Sequence, residues 1–116
     1  FPACPNVSID FGIMEKADQI FTVPGSFGWD DVGSWLAVGR IKENNEDGNV
    51  VNGNVVTVNT KNCVIEGADK LIATVGLRDM IVVDTKDATL ISTKENAGEI
   101  KKVLASLREA GKNEYL

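Results

Sequence analysis

Apolar residues recur along this chain with two periods, and the change falls near residue 46. Before it the spacing is helical. Ile9, Ile13, Met14, Ala17 and Ile20 stand at intervals that share a helix face, with Ser8 placed as a cap and Asp10 in the first turn. Val32, Trp35 and Leu36 mark a second stripe and predict a helix over 31–41. Between the two, "QIFTV" (19–23) is rich in β-branched and aromatic residues and is followed by Pro24-Gly25, so it predicts a short strand. "KENNEDGN" (42–49) is polar and rich in turn formers, and predicts a surface loop at the internal boundary.

Beyond that loop the period becomes that of strands. "GNVV" occurs at 48–51 and again at 53–56. "VVTVNTKNCVI" (55–65) aligns with "MIVVDTKDATL" (80–90) at an offset of 25 residues, matching Val58 with Val83, Thr60 with Thr85 and Lys61 with Lys86. Each copy reads strand, polar turn, strand. With "KLIATV" (70–75) between them and "GLRD" (76–79) as a further turn, six or so short strands predict a small, irregular β-solenoid. Ser92 and Glu95 have the spacing of a capping box ahead of a last helix, whose buried stripe would be Ile100, Val103, Leu104 and Leu107 and whose end would be Gly111. That stripe suits either the open end of the β unit or a partner subunit. Met14 and Met80 are expected in the core, Lys61 and Lys86 in solvated turns, and Arg78 beside Asp79 or across an interface. The fold class is α+β: helix-strand-helix over 1–45, then a β-solenoid-like unit with a terminal helix over 46–116.

Composition narrows the chemistry. The net charge of −5 argues against a nucleic-acid or anionic-membrane partner. No apolar run approaches the roughly 18 residues that span a bilayer, and no signal peptide is visible. Cys4 and Cys63 lack metal-ligand spacing and read as free thiols of a cytoplasmic protein. The chain has no histidine, which excludes Ser-His-Asp and Cys-His catalysis and a His-ligated zinc. Neither G-x-x-x-x-G-K-[ST] nor G-x-G-x-x-G occurs. An opening "FPACPNVSID" without Met suggests a piece of a longer protein, and "NEYL" resembles a natural end.

The stretch that concentrates candidate chemistry is "GWDDVGSW" (28–35), which holds both tryptophans and two adjacent aspartates. One reading is a helix start, with an aspartate as N-cap and the indoles as core. The other is a hard-cation site, because Mg²⁺ takes one or two carboxylates and completes its shell with water and phosphate oxygens. The readings are compatible if one aspartate caps while the other reaches a metal.

"SIDFGIMEKADQIFTVPGSFGWDDVGSW" resembles the close of the catalytic domain in bacterial mannose-1-phosphate guanylyltransferases, where the pattern is S-I-D-[YF]-x-[VI]-M-E-K, a strand, then G-W-x-D-V-G-S-W. "DGNVV", "VGLRDMIVVDTKDATLIS" and "KKVLASLREAGKNEY" are similar to that family's C-terminal region, so the resemblance spans nearly the whole chain. It implies a nucleotidyltransferase in which mannose 1-phosphate attacks the α-phosphorus of GTP, giving GDP-mannose and pyrophosphate with Mg²⁺ as cofactor. Asp31 matches the metal-binding, catalytic aspartate. Asp30 falls on the variable position and takes a solvent or capping role. Gly28 and Trp29 would wall the sugar-phosphate pocket, with Asp10, Glu15 and Lys16 near it. Their plain alternative is an exposed helix turn with an internal ion pair. The family's G-x-G-T-R-L loop, its neutralising lysine and a further metal-binding acid are not in this sequence, so residues 1–45 read as the end of the catalytic domain and the chain alone is expected to be inactive. Exposed Phe11, Phe27 and Trp29 then predict self-association, and the parent is expected to be a homo-oligomer. Two other readings stay open: a non-catalytic β module for oligomerisation or regulation, and a nucleotidyltransferase for another sugar 1-phosphate.

Overall fold

The computed structural model describes residues 4–116. Its centre is a stack of six strands: β1 (Val50–Asn52), β2 (Val55–Val58), β3 (Val64–Glu66), β4 (Ile72–Val75), β5 (Met80–Asp84) and β6 (Thr89–Thr93). They form two sheets, β1-β3-β5-β6 and β2-β4, and every pair is parallel except the β5–β6 hairpin. The chain climbs from one sheet to the other and back, as a β-solenoid does. The expected α+β class and β-helix-like unit are therefore what the molecule has.

The stacking period differs from the expected offset of 25. Val50 sits over Val64 and Val64 over Ile81, so successive coils take 14 and then 17 residues. Val55 over Ile72 again gives 17. The alignment of 25 matches β2 with β5, which lie in different sheets: Val58 is 49% exposed while Val83 is buried. The reason is local. After β2 the chain turns a corner, with Asn59 and Asn62 both at φ 51° and Thr60 turned inward to share a 2.9 Å hydrogen bond with Thr74. After β5, the Thr85 amide donates to the Ala88 carbonyl at 2.9 Å and the Thr85 hydroxyl bonds Asp87, closing a hairpin. One strand-turn-strand pattern thus serves two geometries. The period is written instead in left-handed residues. Gly48, Asn62 and Asp79 all have positive φ and each stands two places before the stacked column Val50–Val64–Ile81. Glycine, asparagine and aspartate adopt that conformation most readily.

The four-stranded sheet is covered on both faces, which accounts for the unbroken apolar run in β5. On one face Val50, Val64, Ile81 and Val83 pack against Trp35, Leu36 and Val38 of helix α2 (Trp35–Ile41) and against Leu90 and Ala97. On the other, Cys63, Ile65 and Val82 meet Val55, Ile72, Leu77 and Met80 inside the solenoid. Asn49 is 1% exposed and fully engaged: its side chain donates to the Thr60 carbonyl at 2.7 Å and accepts from the Cys63 amide at 2.9 Å. Cys63 is a buried free thiol and Cys4 an exposed one.

Outside this core several expectations change. Helix α1 (Ile9–Gly12) is one turn, capped by the Ser8 hydroxyl as expected, and passes into a 3₁₀ turn at Met14–Lys16. Its stripe covers nothing, and Met14 is 40% exposed rather than core. "QIFTV" forms no strand and pairs with none of the six strands among the described residues. Helix α2 starts at Trp35 rather than 31, because Ser34 is the cap. Ser92 lies within β6, so the capping box does not form; a 3₁₀ turn at Ala97–Glu99 leads into α3 (Ile100–Glu109), which has no side-chain cap. The stripe of α3 is only half covered, with Val103 48% and Leu104 40% exposed. Its end is as expected: Gly111 has φ 71°, and the amides of Gly111 and Lys112 bond the carbonyls of Arg108 and Leu107, a Schellman closure. The Arg78 backbone pairs with Lys61, and no ion pair joins Arg78 to Asp79 among the described residues.

Candidate functional site

The "GWDDVGSW" stretch is an extended approach to α2. Gly28 takes φ 66°, a conformation its missing side chain permits, and turns the chain before Trp29. Trp29 is 77% exposed, whereas Trp35 packs into the core cluster, so the two indoles have opposite surroundings. The Asp31 carboxylate accepts from the Gly33 amide at 3.2 Å, a local turn that ends one residue before the cap. Ser34 accepts from the Ala37 amide at 3.4 Å and caps α2. Neither aspartate is the N-cap. Both expectations that placed one there give way to Ser34, which directly precedes the apolar run and so carried a readable signal.

Asp30 is not a solvated bystander. Its two oxygens take a forked ion pair from Arg40, at 3.0 Å from Nε and 2.7 Å from Nη2. The hydrogen bond from Arg40 holds the Asp30 carboxyl below the usual carboxylate range, and the same bond raises the guanidinium. Arg40 is the residue that pattern reading missed. It lies ten positions from Asp30 in sequence, and no periodicity connects an extended segment to the last turn of a helix. The pair divides the two acids: Asp30 is neutralised in place, while Asp31 keeps an exposed carboxylate with a single local hydrogen bond.

The remaining candidates are placed without being assembled. Asp10 is in α1, Glu15 and Lys16 in the 3₁₀ turn, and all three are exposed. Among the described residues, no hydrogen bond or ion pair joins them to one another, to Trp29 or to Asp31, so the internal ion pair of the plain alternative is not formed either. No group of three or more acidic or cysteine side chains that could hold a metal occurs among the described residues. Asp31 fits a divalent cation as one donor: it is exposed and its partner acid is occupied by Arg40. The remainder of the shell would come from phosphate, water or other protein groups. Beside the stretch runs a groove of about 570 Å³, walled by Val32, Trp35 and Val38 on one side and Ala97 and Ile100 on the other. No helix among the described residues is long and apolar enough to cross a membrane.

Parallel coils over one buried sheet, with a helix packed outside, define a β-helical protein module. Residues 53–107 match the model of the MannoseP isomerase/GMP-like beta-helix domain. Over nearly its whole length the chain is 40% identical to the alginate biosynthesis protein AlgA of Pseudomonas putida, covering 98% of this chain and 24% of that protein. It is 41% identical to a putative mannose-1-phosphate guanylyltransferase of Vibrio cholerae, over 99% of this chain and 25% of that one. The corresponding figures for the mannose-1-phosphate guanylyltransferase of Escherichia coli K12 are 37%, 99% and 24%. A crystal structure described as mannose-1-phosphate geranyltransferase from Thermus thermophilus superposes with a TM-score of 0.78 at 37% identity, over 90% of this chain and 32% of that one. At about 40% identity over nearly its whole length, the chain is similar to a short C-terminal portion of mannose-1-phosphate guanylyltransferases. It spans about a quarter of the length of the curated relatives it matches.

Proposed function

We propose that this chain is part of an enzyme that joins mannose 1-phosphate to GTP, releasing pyrophosphate and GDP-mannose by in-line transfer at the α-phosphorus, with Asp31 as its catalytic, metal-holding group in this segment. The observation that carries the assignment is the division of the two aspartates. Arg40 neutralises Asp30, and Asp31 alone presents an exposed carboxylate at the position that the family pattern reserves for a metal ligand. Mg²⁺, when bound, would neutralise phosphate oxygens and the charge that develops in transfer. The protein's own groups position the substrates: Gly28 and Trp29 wall the sugar-phosphate pocket, Lys16 meets phosphate charge, and Asp10 and Glu15 border the same pocket. Residues 1–45 supply this wall of the catalytic domain and residues 46–116 the β-helical unit. The reaction belongs in the cytoplasm, where GTP is available.

The chain alone is inactive in this reading, because no glycine-rich loop to cradle the triphosphate occurs in its 116 residues. The test is GDP-mannose formation by the full-length protein at saturating Mg²⁺, wild type beside Asp31→Asn and Asp30→Asn. Asp31→Asn should lose at least about a hundredfold in kcat, the scale of losing a metal or oxyanion contact, and Asp30→Asn should stay within about tenfold. Equal, undiminished turnover in both variants would reduce "GWDDVGSW" to a capped helix start. Parallel assays with other sugar 1-phosphates separate mannose from its relatives. A role in assembly accompanies this one, since the half-covered α3 stripe, with Val103 and Leu104 exposed, offers apolar surface to a partner copy.

A further inference from the structure

The solenoid is open at the end where β4 and β6 meet solvent. Strand β4 is the last of the two-stranded sheet, paired with β2 on one side only. The Ile72 and Gly76 amides donate towards β2, to Asn54 and Val58 at 2.9 and 2.8 Å. Alternation along a parallel strand therefore points the amides of Ala73 and Val75 to the other edge, where no strand lies among the described residues. The rim of this end is apolar and bare: Leu71, Val75 and Ile91 are 59%, 71% and 64% exposed. Exposed edges of this kind are sites where another extended segment adds.

Behind the rim lies a cavity of about 380 Å³ lined by Leu71, Ile72, Thr74, Val82, Ile91 and a single carboxylate, Asp84. Asp84 is only 8% exposed. One of its oxygens, Oδ1, accepts from the Thr89 hydroxyl at 2.6 Å and meets the Lys70 ammonium at 3.4 Å. The other, Oδ2, is enclosed and has no hydrogen-bond partner. Lys70 does not remedy this, since its side chain is 64% exposed and reaches Oδ1. A buried carboxylate oxygen without a donor is unfavourable, and a donor that arrives with the right shape recovers the loss. An apolar side chain entering the cavity would seal the oxygen off further. A lysine or arginine side chain would lay its methylene stem along Leu71, Val82 and Ile91 and bring N–H donors to the carboxylate.

We propose that this end of the β-helix docks an extended protein segment that adds to the free edge of β4 and places one lysine or arginine in the Asp84 cavity. The free edge supplies backbone pairing. The cavity selects a cation in the segment's inward-facing row. This rests on Asp84 and β4 alone and stands apart from the Asp31 reading.

The test uses the 116-residue chain and an acetylated, amidated heptapeptide that alternates threonine with valine, arginine and valine. The proposal expects NMR shifts at the Ala73 and Val75 amides and at the methyl groups of Val82 and Ile91. It expects binding to weaken roughly tenfold or more in Asp84→Asn, or when norleucine replaces the peptide arginine, as losing one charged hydrogen bond implies. A peptide N-methylated at every residue should not bind, because it cannot pair with the edge in either strand direction. The proposal is overturned if millimolar peptide gives no shifts at this end. Equal affinity for wild type and Asp84→Asn, or undiminished binding of the N-methylated peptide, also overturns it. Should Asp84→Asn lose its strand spectrum, Ile91→Lys puts a competing ammonium at the mouth. Binding should weaken by a similar factor there, and unchanged binding counts against the proposal.

Discussion

Strand β5 and the arm over residues 17–33 both carry large apolar residues and have opposite surroundings. In β5, Ile81, Val82 and Val83 are 0%, 5% and 7% exposed; in the arm, Phe21, Val23 and Phe27 are 91%, 90% and 80% exposed. Hydrophobicity alone does not decide burial. β5 has strands on both sides and covered faces above and below, so each side chain gains a contact surface. The arm has β-prone residues and pairs with no strand among the described residues. A strand is stable only in company, and two or three apolar residues in a row cannot supply it. The difference locates the work of each region. The β-helical part holds the buried core, and the arm, which carries Gly28, Trp29 and Asp31, leaves its apolar side chains uncovered; in the proposed reading, other protein completes it.

This contrast can be broken directly. Ile81→Ala removes a fully buried side chain between two packed faces, and should cost about 2–5 kcal/mol in denaturant unfolding. Phe21→Ala deletes a larger side chain and should change the stability of the isolated chain by no more than about 0.5 kcal/mol. Comparable losses in both variants would mean that the arm is packed after all. Self-association is the next expected effect. Sedimentation should show oligomers growing with concentration, and a Phe21→Ser and Trp29→Ser double variant should move the chain towards monomer. A wild-type chain that stays monomeric at high concentration would remove the arm as a sticky surface. The smallest effect concerns acid. Partial burial works to raise the Glu66 pKa, but hydrogen bonds from Asn52 and Lys42 outweigh it and leave the carboxyl below its ordinary 4.5. A group depressed in the folded state lends its stability above the unfolded pKa and loses it as pH falls through the folded value. Denaturation midpoints should therefore decline below about pH 4.5 in the wild type and decline less in Glu66→Gln.

Much of the architecture was legible before the structure was known, for reasons that differ by element. The β-solenoid followed from short strands at close spacing, and Gly111 and Ser8 from the chemistry of helix ends, which acts within four residues. The solenoid's period was hidden because strand-turn-strand describes a corner and a hairpin equally well; the signal lay in Gly48, Asn62 and Asp79, residues chosen for backbone conformation rather than hydrophobicity. The capping box at Ser92 failed because β6 pairs with β5 through Ser92 itself, and a strand in a ladder outcompetes a local cap. In the site, the family pattern singles out Asp31 as the proposed metal ligand. The Asp30–Arg40 pair was not legible, because a contact across ten residues between an irregular segment and a helix leaves no periodic trace. Similarly, whether an apolar stripe is covered is not written in the stripe itself: those of α3 and the arm stay exposed.

The most direct measurement is amide hydrogen exchange, comparing the isolated chain with the full-length protein. The account predicts slow exchange in β3 and β5 in both. It predicts fast exchange over residues 17–33 in the isolated chain and strong protection of those same amides in the full-length protein, where the proposed reading has the arm meet the rest of a catalytic domain. Equal exchange of the arm in the two proteins, whether fast or slow, would contradict the claim that this segment is an unfinished surface of the active site.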